Sequence, residues 1–152
     1  MLEIGQQVTD FSLPTDQGQF TLSEHRGKNV VLFFYPKADT PGCTKESIAF
    51  SGLLSEFEAA NAVVIGMSKD TPVKQGKFRD KHGLTVLLGA DHETEVCELF
   101  GVWGEKSMYG RTYMGIERSS FIIDPDGKLS HVWRKVKVPG HAEEVLAALK
   151  EQ

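Results

Sequence analysis

The sequence predicts an α/β fold, a mixed central sheet with helices on both faces and an N-terminal β-hairpin. Three patterns carry that reading. Residues 29–35 and 62–68 are unbroken apolar runs rich in β-branched and aromatic side chains, as in strands buried on both faces. Stretches of helical period follow each of them, so strands and helices alternate as they do around parallel strands. Later, 119–124 and 129–136 flank Pro125, Asp126 and Gly127, a turn with hairpin chemistry, and a final helix closes the chain.

Taken in order, 8–14 and 19–22 read as short strands around Thr15, Asp16, Gln17 and Gly18, which gives the N-terminal hairpin. A polar connection over 23–28 leads to the strand at 29–35. The next helix is expected to reach about Ala60, because Phe50, Leu53, Leu54 and Phe57 fall at i, i+3, i+4 and i+7. After the strand at 62–68, Thr71 and Pro72 signal the start of a helix over 72–82, which Gly83 ends. Residues 85–88 read as a third parallel strand, and 93–101 as a short helix with Val96, Leu99 and Phe100 on its apolar side. Residues 103–117 show no clear period and are expected as a glycine-rich, aromatic loop. The last helix carries Ala142, Val145, Leu146 and Leu149 at helical spacing. Crossovers between parallel strands are expected to be right-handed.

With 152 residues, one domain over 1–152 is the expected organisation, large enough to bury about 68–70% of its unfolded surface without staples. The net charge of −4, from 17 basic and 21 acidic residues with no basic run, argues against a nucleic-acid partner. No apolar stretch approaches the roughly 20 residues that span a membrane. Residues 1–7 lack the basic start and apolar run of a signal peptide, so the cytoplasm is the expected compartment. Two cysteines there point to chemistry or core filling, not to a structural disulfide.

The stretch from Pro36 to Glu46 joins the first buried strand to the helix after it. Thr40 suits the N-cap, where its hydroxyl can accept from a free amide one turn in. Pro41 suits the first helical position, and Gly42 lets another group approach the backbone closely. Cys43 then falls near the third helical position, among unsatisfied amides and at the positive end of the helix dipole. A free thiol with a pKa of about 8.5 is only about 3% thiolate at neutral pH. A helix N-terminus and nearby cations favour the thiolate, which is the nucleophile.

Other chemistries find less support. Cys43, Cys97, His25, His82, His92, His131 and His141 show no close-spaced pair of metal ligands, and the histidines read as solvent-facing. No histidine near Cys43 in sequence supplies the base of a cysteine hydrolase. A non-catalytic module that senses redox state, or binds partners as a chaperone does, would use the same oxidisable thiol. It would oxidise once and stop, where an enzyme turns over.

Pro36, Thr40 and Cys43 match the P-x-x-x-T-x-x-C active-site pattern of the peroxiredoxins, and the segment 110–124, with Arg118 before an apolar strand, resembles their arginine segment. Phe34-Tyr35-Pro36-Lys37-Ala38 and Gly104-Glu105-Lys106-Ser107-Met108-Tyr109-Gly110 resemble the bacterioferritin-comigratory, or peroxiredoxin Q, subgroup. The resemblance runs from Gly5 to the last helix. It implies a thioredoxin-like fold, no cofactor, and thiol-dependent reduction of hydrogen peroxide and organic hydroperoxides. It implies Cys43 as the peroxidatic nucleophile, oxidised to a sulfenic acid. Thr40 would orient the peroxide, and Arg118 would hold the thiolate and stabilise charge on the leaving oxygen. The amides of Gly42 and Cys43 would assist, and Pro36 would shield the pocket from water. A monomer is expected, with a dimer as the alternative.

The pattern departs from the subgroup at the second step. The position five after Cys43, where many members carry the resolving cysteine, is Ile48, and 72–82 contains no cysteine. Glu46 stands where a C-x-x-C pair would need its second thiol. The only resolving candidate is Cys97, and pairing it with Cys43 would require local unfolding unless their Cα atoms lie within about 7 Å. The expectation is therefore a one-cysteine mechanism, with thioredoxin, glutaredoxin or a low-molecular-weight thiol as the external reductant.

Overall fold

The computed structural model describes residues 2–152. In chain order the strands are β1 (Ser12–Thr15), β2 (Gly18–Thr21), β3 (Asn29–Phe34), β4 (Ala62–Ser68), β5 (Leu87–Ala90), β6 (Trp103–Met108), β7 (Arg111–Ile116), β8 (Ser119–Ile123) and β9 (Leu129–Trp133). The helices are α1 (Pro41–Gly52), α2 (Leu54–Ala59), α3 (Pro72–His82), α4 (Val96–Leu99) and α5 (His141–Lys150), with a 3-10 turn at Leu22–His25. Seven strands form one sheet in the order β2-β1-β5-β4-β3-β8-β9, and β6 pairs with β7 apart from it.

β3 is the sheet's axis. All six of its residues are buried, which is why it reads as a continuous apolar run. It pairs parallel with β4, with Val31 opposite Val64, and antiparallel with β8, with Phe34 opposite Ser119. The two-residue period of a strand sends Val31, Phe33 and Tyr35 to one face and Val30, Leu32 and Phe34 to the other. The first set packs in a core with Cys43, Phe50, Phe57, Phe78, Val145 and Leu146, from α1, α2, α3 and α5. The second packs with Val96, Cys97, Phe100 and Phe121. Helices therefore lie on both faces of a mixed sheet, as expected.

Two close packings fix α1 over the sheet. The Phe33 ring stacks on Phe50, centroids 4.3 Å apart and planes 6° from parallel. The same Phe33 ring covers Gly66 on β4, where a Cβ would come within 2.5 Å of it. A side chain at 66 would push Phe33 off Phe50.

Several boundaries differ from expectation. The first strand starts at Ser12, since Val8 to Phe11 leave the ladder and only Gln7 bridges to Lys128. The helix after β3 breaks at Leu53, whose φ of −105° and ψ of 5° end α1, and α2 resumes the same apolar face through Phe57. β5 begins at Leu87, and the helix expected over 93–101 is confined to α4. β9 ends at Trp133, because residues from Arg134 leave the β8 ladder. The largest difference is the loop expected over 103–117, which is the β6–β7 hairpin. Its turn, Tyr109 and Gly110, has positive φ at both residues (52° and 76°), the geometry of a tight two-residue hairpin. Most of its side chains face solvent, so neither face carries the alternation that marks a half-buried strand. β4, α3 and its left-handed C-cap at Gly83 (φ 62°) fall where the sequence puts them.

Candidate active site

Register explains the site. Phe34 pairs with Ser119, so the loop leaving β3 and the residue entering β8 meet at one end of the sheet. That end carries Pro36, Thr40 and Cys43 from the loop and α1, and Arg118 from the segment before β8.

Cys43 is the third residue of α1 and only 1% exposed. The amides of Gly42 and Cys43 lie in the first turn, where no intrahelical carbonyl can meet them. Thr40 occupies the N-cap with extended backbone, and its carbonyl accepts from Thr44 N at 2.8 Å. Its hydroxyl does not cap the helix, contrary to expectation. It donates to the Lys37 carbonyl at 2.9 Å, because the loop folds that carbonyl back over the helix start. The first-turn amides are thus left without a side-chain acceptor.

Arg118 is the hub. Its Nη2 donates to Cys43 Sγ at 3.2 Å, and its Nη1 donates to Glu46 Oε1 at 2.6 Å. The fork of the guanidinium suits two acceptors at once, which a lysine ammonium could not match in plane. Gly42 makes this approach possible, since a Cβ there would stand 3.3 Å from Arg118 Nη2. Glu46 is 1% exposed, and its second oxygen, Oε2, has no hydrogen-bond partner. Burial raises its carboxyl to about 7, outweighing the attraction of Arg118. Sequence reasoning met Glu46 only as a missing thiol. Its i, i+3 spacing from Cys43 on one helix face was the signal that could have found it.

Pro36 is exposed, at the start of the active-site loop. It forms the rim of a hollow that Trp103, Tyr113, Met114 and Ile116 of the β6–β7 hairpin also line. The aromatic segment expected as a loop is therefore a wall beside the active-site loop.

Cys97 is not brought to this site. It is fully buried in the core on the opposite face of the sheet from Cys43. Its amide donates to Asp91 Oδ2 at 2.7 Å, and burial followed by the Asp91 charge raises its thiol far above the usual range. Both cysteines are free thiols. The histidines are not uniformly solvent-facing as expected. His141 is 4% exposed, held between Ser120 Oγ (2.8 Å) and Glu144 Oε1 (3.0 Å), because α5 packs it against Phe50 and Trp133. Among the described residues no three or more His, Cys, Asp or Glu side chains converge as metal ligands. No described helix is long and apolar enough to cross a membrane.

A buried thiol at a helix start is held by an arginine from the segment before β8, and residues 4–132 of the chain match the AhpC/TSA family. The chain belongs to the AhpC/TSA family of peroxiredoxins. Peroxiredoxin Bcp of Bacillus subtilis is 48% identical over 151 residues, 99% of this chain and 96% of the relative. Among solved structures, peroxiredoxin Q of Xanthomonas campestris superposes with a TM-score of 0.91 at 44% identity, covering 100% of this chain and 97% of that one. The bacterioferritin comigratory protein of the same organism, studied for its alkyl peroxide reduction activity, superposes with a TM-score of 0.90 at 43% identity, covering 99% and 97%. This peroxiredoxin is accordingly a thiol-dependent peroxidase, an oxidoreductase.

Proposed function

We propose that Cys43 is the peroxidatic nucleophile and that it works by a one-cysteine mechanism. The observation that carries this is the 3.2 Å contact from Arg118 Nη2 to Cys43 Sγ, at a helix start whose amides have no side-chain cap. The thiolate attacks one oxygen of hydrogen peroxide or of an organic hydroperoxide. The S–O bond forms as the O–O bond breaks, sulfur loses two electrons to become a sulfenic acid, and the other oxygen departs with the electron pair. Arg118 and the Gly42 and Cys43 amides stabilise the charge moving onto that oxygen. Thr40 turns its hydroxyl from Lys37 to align the peroxide. Pro36 and the hairpin wall line a hollow beside the active-site loop that offers the organic part of a larger hydroperoxide a surface to meet.

An external thiol closes the cycle. Its sulfur attacks the sulfenic acid, water leaves, and a second thiol frees Cys43 from the mixed disulfide. The separation of Cys97 from Cys43 by the sheet supports an outside donor, whether thioredoxin, glutaredoxin or a low-molecular-weight thiol. Two buried, unpaired cysteines suit the reducing cytoplasm where such donors are abundant. The working unit is the single domain acting as a monomer, because one chain supplies Pro36, Thr40, Cys43, Glu46 and Arg118. Peroxide consumption with each donor, comparing Cys43→Ser with Cys97→Ser, tests the reading. The first variant is expected to be inactive and the second to turn over at the wild-type rate. A Cys97→Ser variant that stalls after one equivalent of peroxide overturns the one-cysteine mechanism.

A further inference from the structure

Glu46 is the buried group in the site that the mechanism above does not use. Arg118 holds it at 2.6 Å with one nitrogen while holding Cys43 Sγ at 3.2 Å with the other. One guanidinium therefore faces two groups, each of which can be an anion, in a place where the carboxylate is 1% exposed and the arginine side chain 16% exposed. A single positive charge balances one of them. Ionising both leaves a net negative charge taken out of water, which costs several kcal/mol. An unbonded buried carboxylate oxygen, Oε2, is costly as an anion and reasonable as the site of a proton.

We infer that Cys43 and Glu46 share one proton across Arg118. Glu46 holds it while the sulfur is a thiolate and gives it up when the sulfur is oxidised. This rests on Cys43 being the peroxidatic residue. The balance is Cys43–S⁻ plus Glu46–COOH plus ROOH going to Cys43–SOH plus Glu46–COO⁻ plus ROH. The peroxide's hydroxyl goes to sulfur, and the carboxyl proton ends on the departing oxygen. Charge within the pocket is the same before and after, with Arg118 neutralising the sulfur first and the carboxylate afterwards. The desolvation cost of the site therefore does not rise along the reaction. Reduction of the sulfenic acid regenerates the thiolate and returns a proton to Glu46. Burial already raises the carboxyl to about 7, so the exchange takes place near neutral pH.

Two other titratable groups lie near the pair, His141 close to Arg118 and Tyr35 close to Cys43. From α5, His141 is held toward its neutral form by burial, with Glu144 opposing. From β3, the Tyr35 hydroxyl donates to Gln75 at 2.6 Å and is pushed well above its ordinary range by burial. On α1 itself, Lys45 points to solvent. None of these competes with Arg118 for the Glu46 carboxylate.

The test is the pH dependence of single-turnover oxidation in the wild type and Glu46→Gln, which keeps an acceptor for Arg118 but has no acid proton. The wild-type to variant rate ratio is expected to be about 100 at pH 6 and to fall toward unity by pH 9, where Glu46 has ionised. A ratio that stays flat with pH indicates a packing role only and overturns the inference. Infrared difference spectra of the wild type supply a readout that needs no variant at 46. One equivalent of peroxide is expected to remove a protonated-carboxyl band, and Cys43→Ser to show no change. An unchanged carboxyl band in the oxidised wild type overturns proton sharing. Peroxide consumption by Cys43→Ser would instead overturn the assignment of the nucleophile.

Discussion

Arg118 reaches the sulfur of Cys43 at 3.2 Å across 75 positions of chain. The antiparallel register of β3 and β8 makes the contact, by setting Ser119 opposite Phe34 and so bringing Arg118 beside the active-site loop. The same side chain reaches Glu46, so its planar fork is used on both prongs. Arg118→Lys keeps the charge and loses the second prong. It is expected to lower the single-turnover rate constant with peroxide by about 100-fold, the size of losing a preorganised donor. Stopped-flow fluorescence measures it, and a rate within about threefold of wild type would show that charge alone suffices.

Gly42 is needed for closeness, not for turn geometry. A methyl at this position would sit 3.3 Å from Arg118 Nη2, tighter than an ordinary contact, and the flexible arginine would give way first. Gly42→Ala is therefore expected to leave the unfolding midpoint nearly unchanged and to slow oxidation of Cys43 by about tenfold, through misplacement of the donor. Denaturant titration beside single-turnover kinetics separates the two effects. Loss of stability with unchanged kinetics would contradict this account of the glycine.

Glu46 also links pH to stability. Its carboxyl is raised from 4.5 to about 7 in the fold, so the folded state binds its proton more tightly than the unfolded chain does. The contribution is fully present below the unfolded value and is lost as pH rises through the folded one. Wild-type stability relative to Glu46→Gln is expected to fall by about 3 kcal/mol between pH 4 and pH 8. Urea unfolding at several pH values reads this out. A constant difference would mean that Glu46 titrates as an ordinary carboxylate.

Much of this was legible in the sequence, and physics explains where legibility ended. β3 and β4 announce themselves because both faces are buried, and α3 because Thr71, Pro72 and Gly83 mark its ends. Cys43 and Arg118 were readable as a pair only through a family pattern, since the contact depends on strand register that local sequence does not encode. The β6–β7 hairpin leaves no mark in the sequence because it faces solvent on most positions and so carries no hydrophobic period. The N-cap signal at Thr40 does not give a side-chain cap, because the Lys37 carbonyl competes for its hydroxyl in the folded loop. Glu46 was passed over because its burial comes from the partner it meets, not from its own polarity.

The central claim concerns one sulfur, and the most direct measurement locates the sulfenic acid. Wild-type protein treated with one equivalent of peroxide and a sulfenic-acid-selective carbon nucleophile is digested and examined by mass spectrometry. The adduct is expected on the peptide carrying Cys43, with Cys97 unmodified. An adduct on Cys97, or peroxide consumed with no adduct on Cys43, would contradict the account.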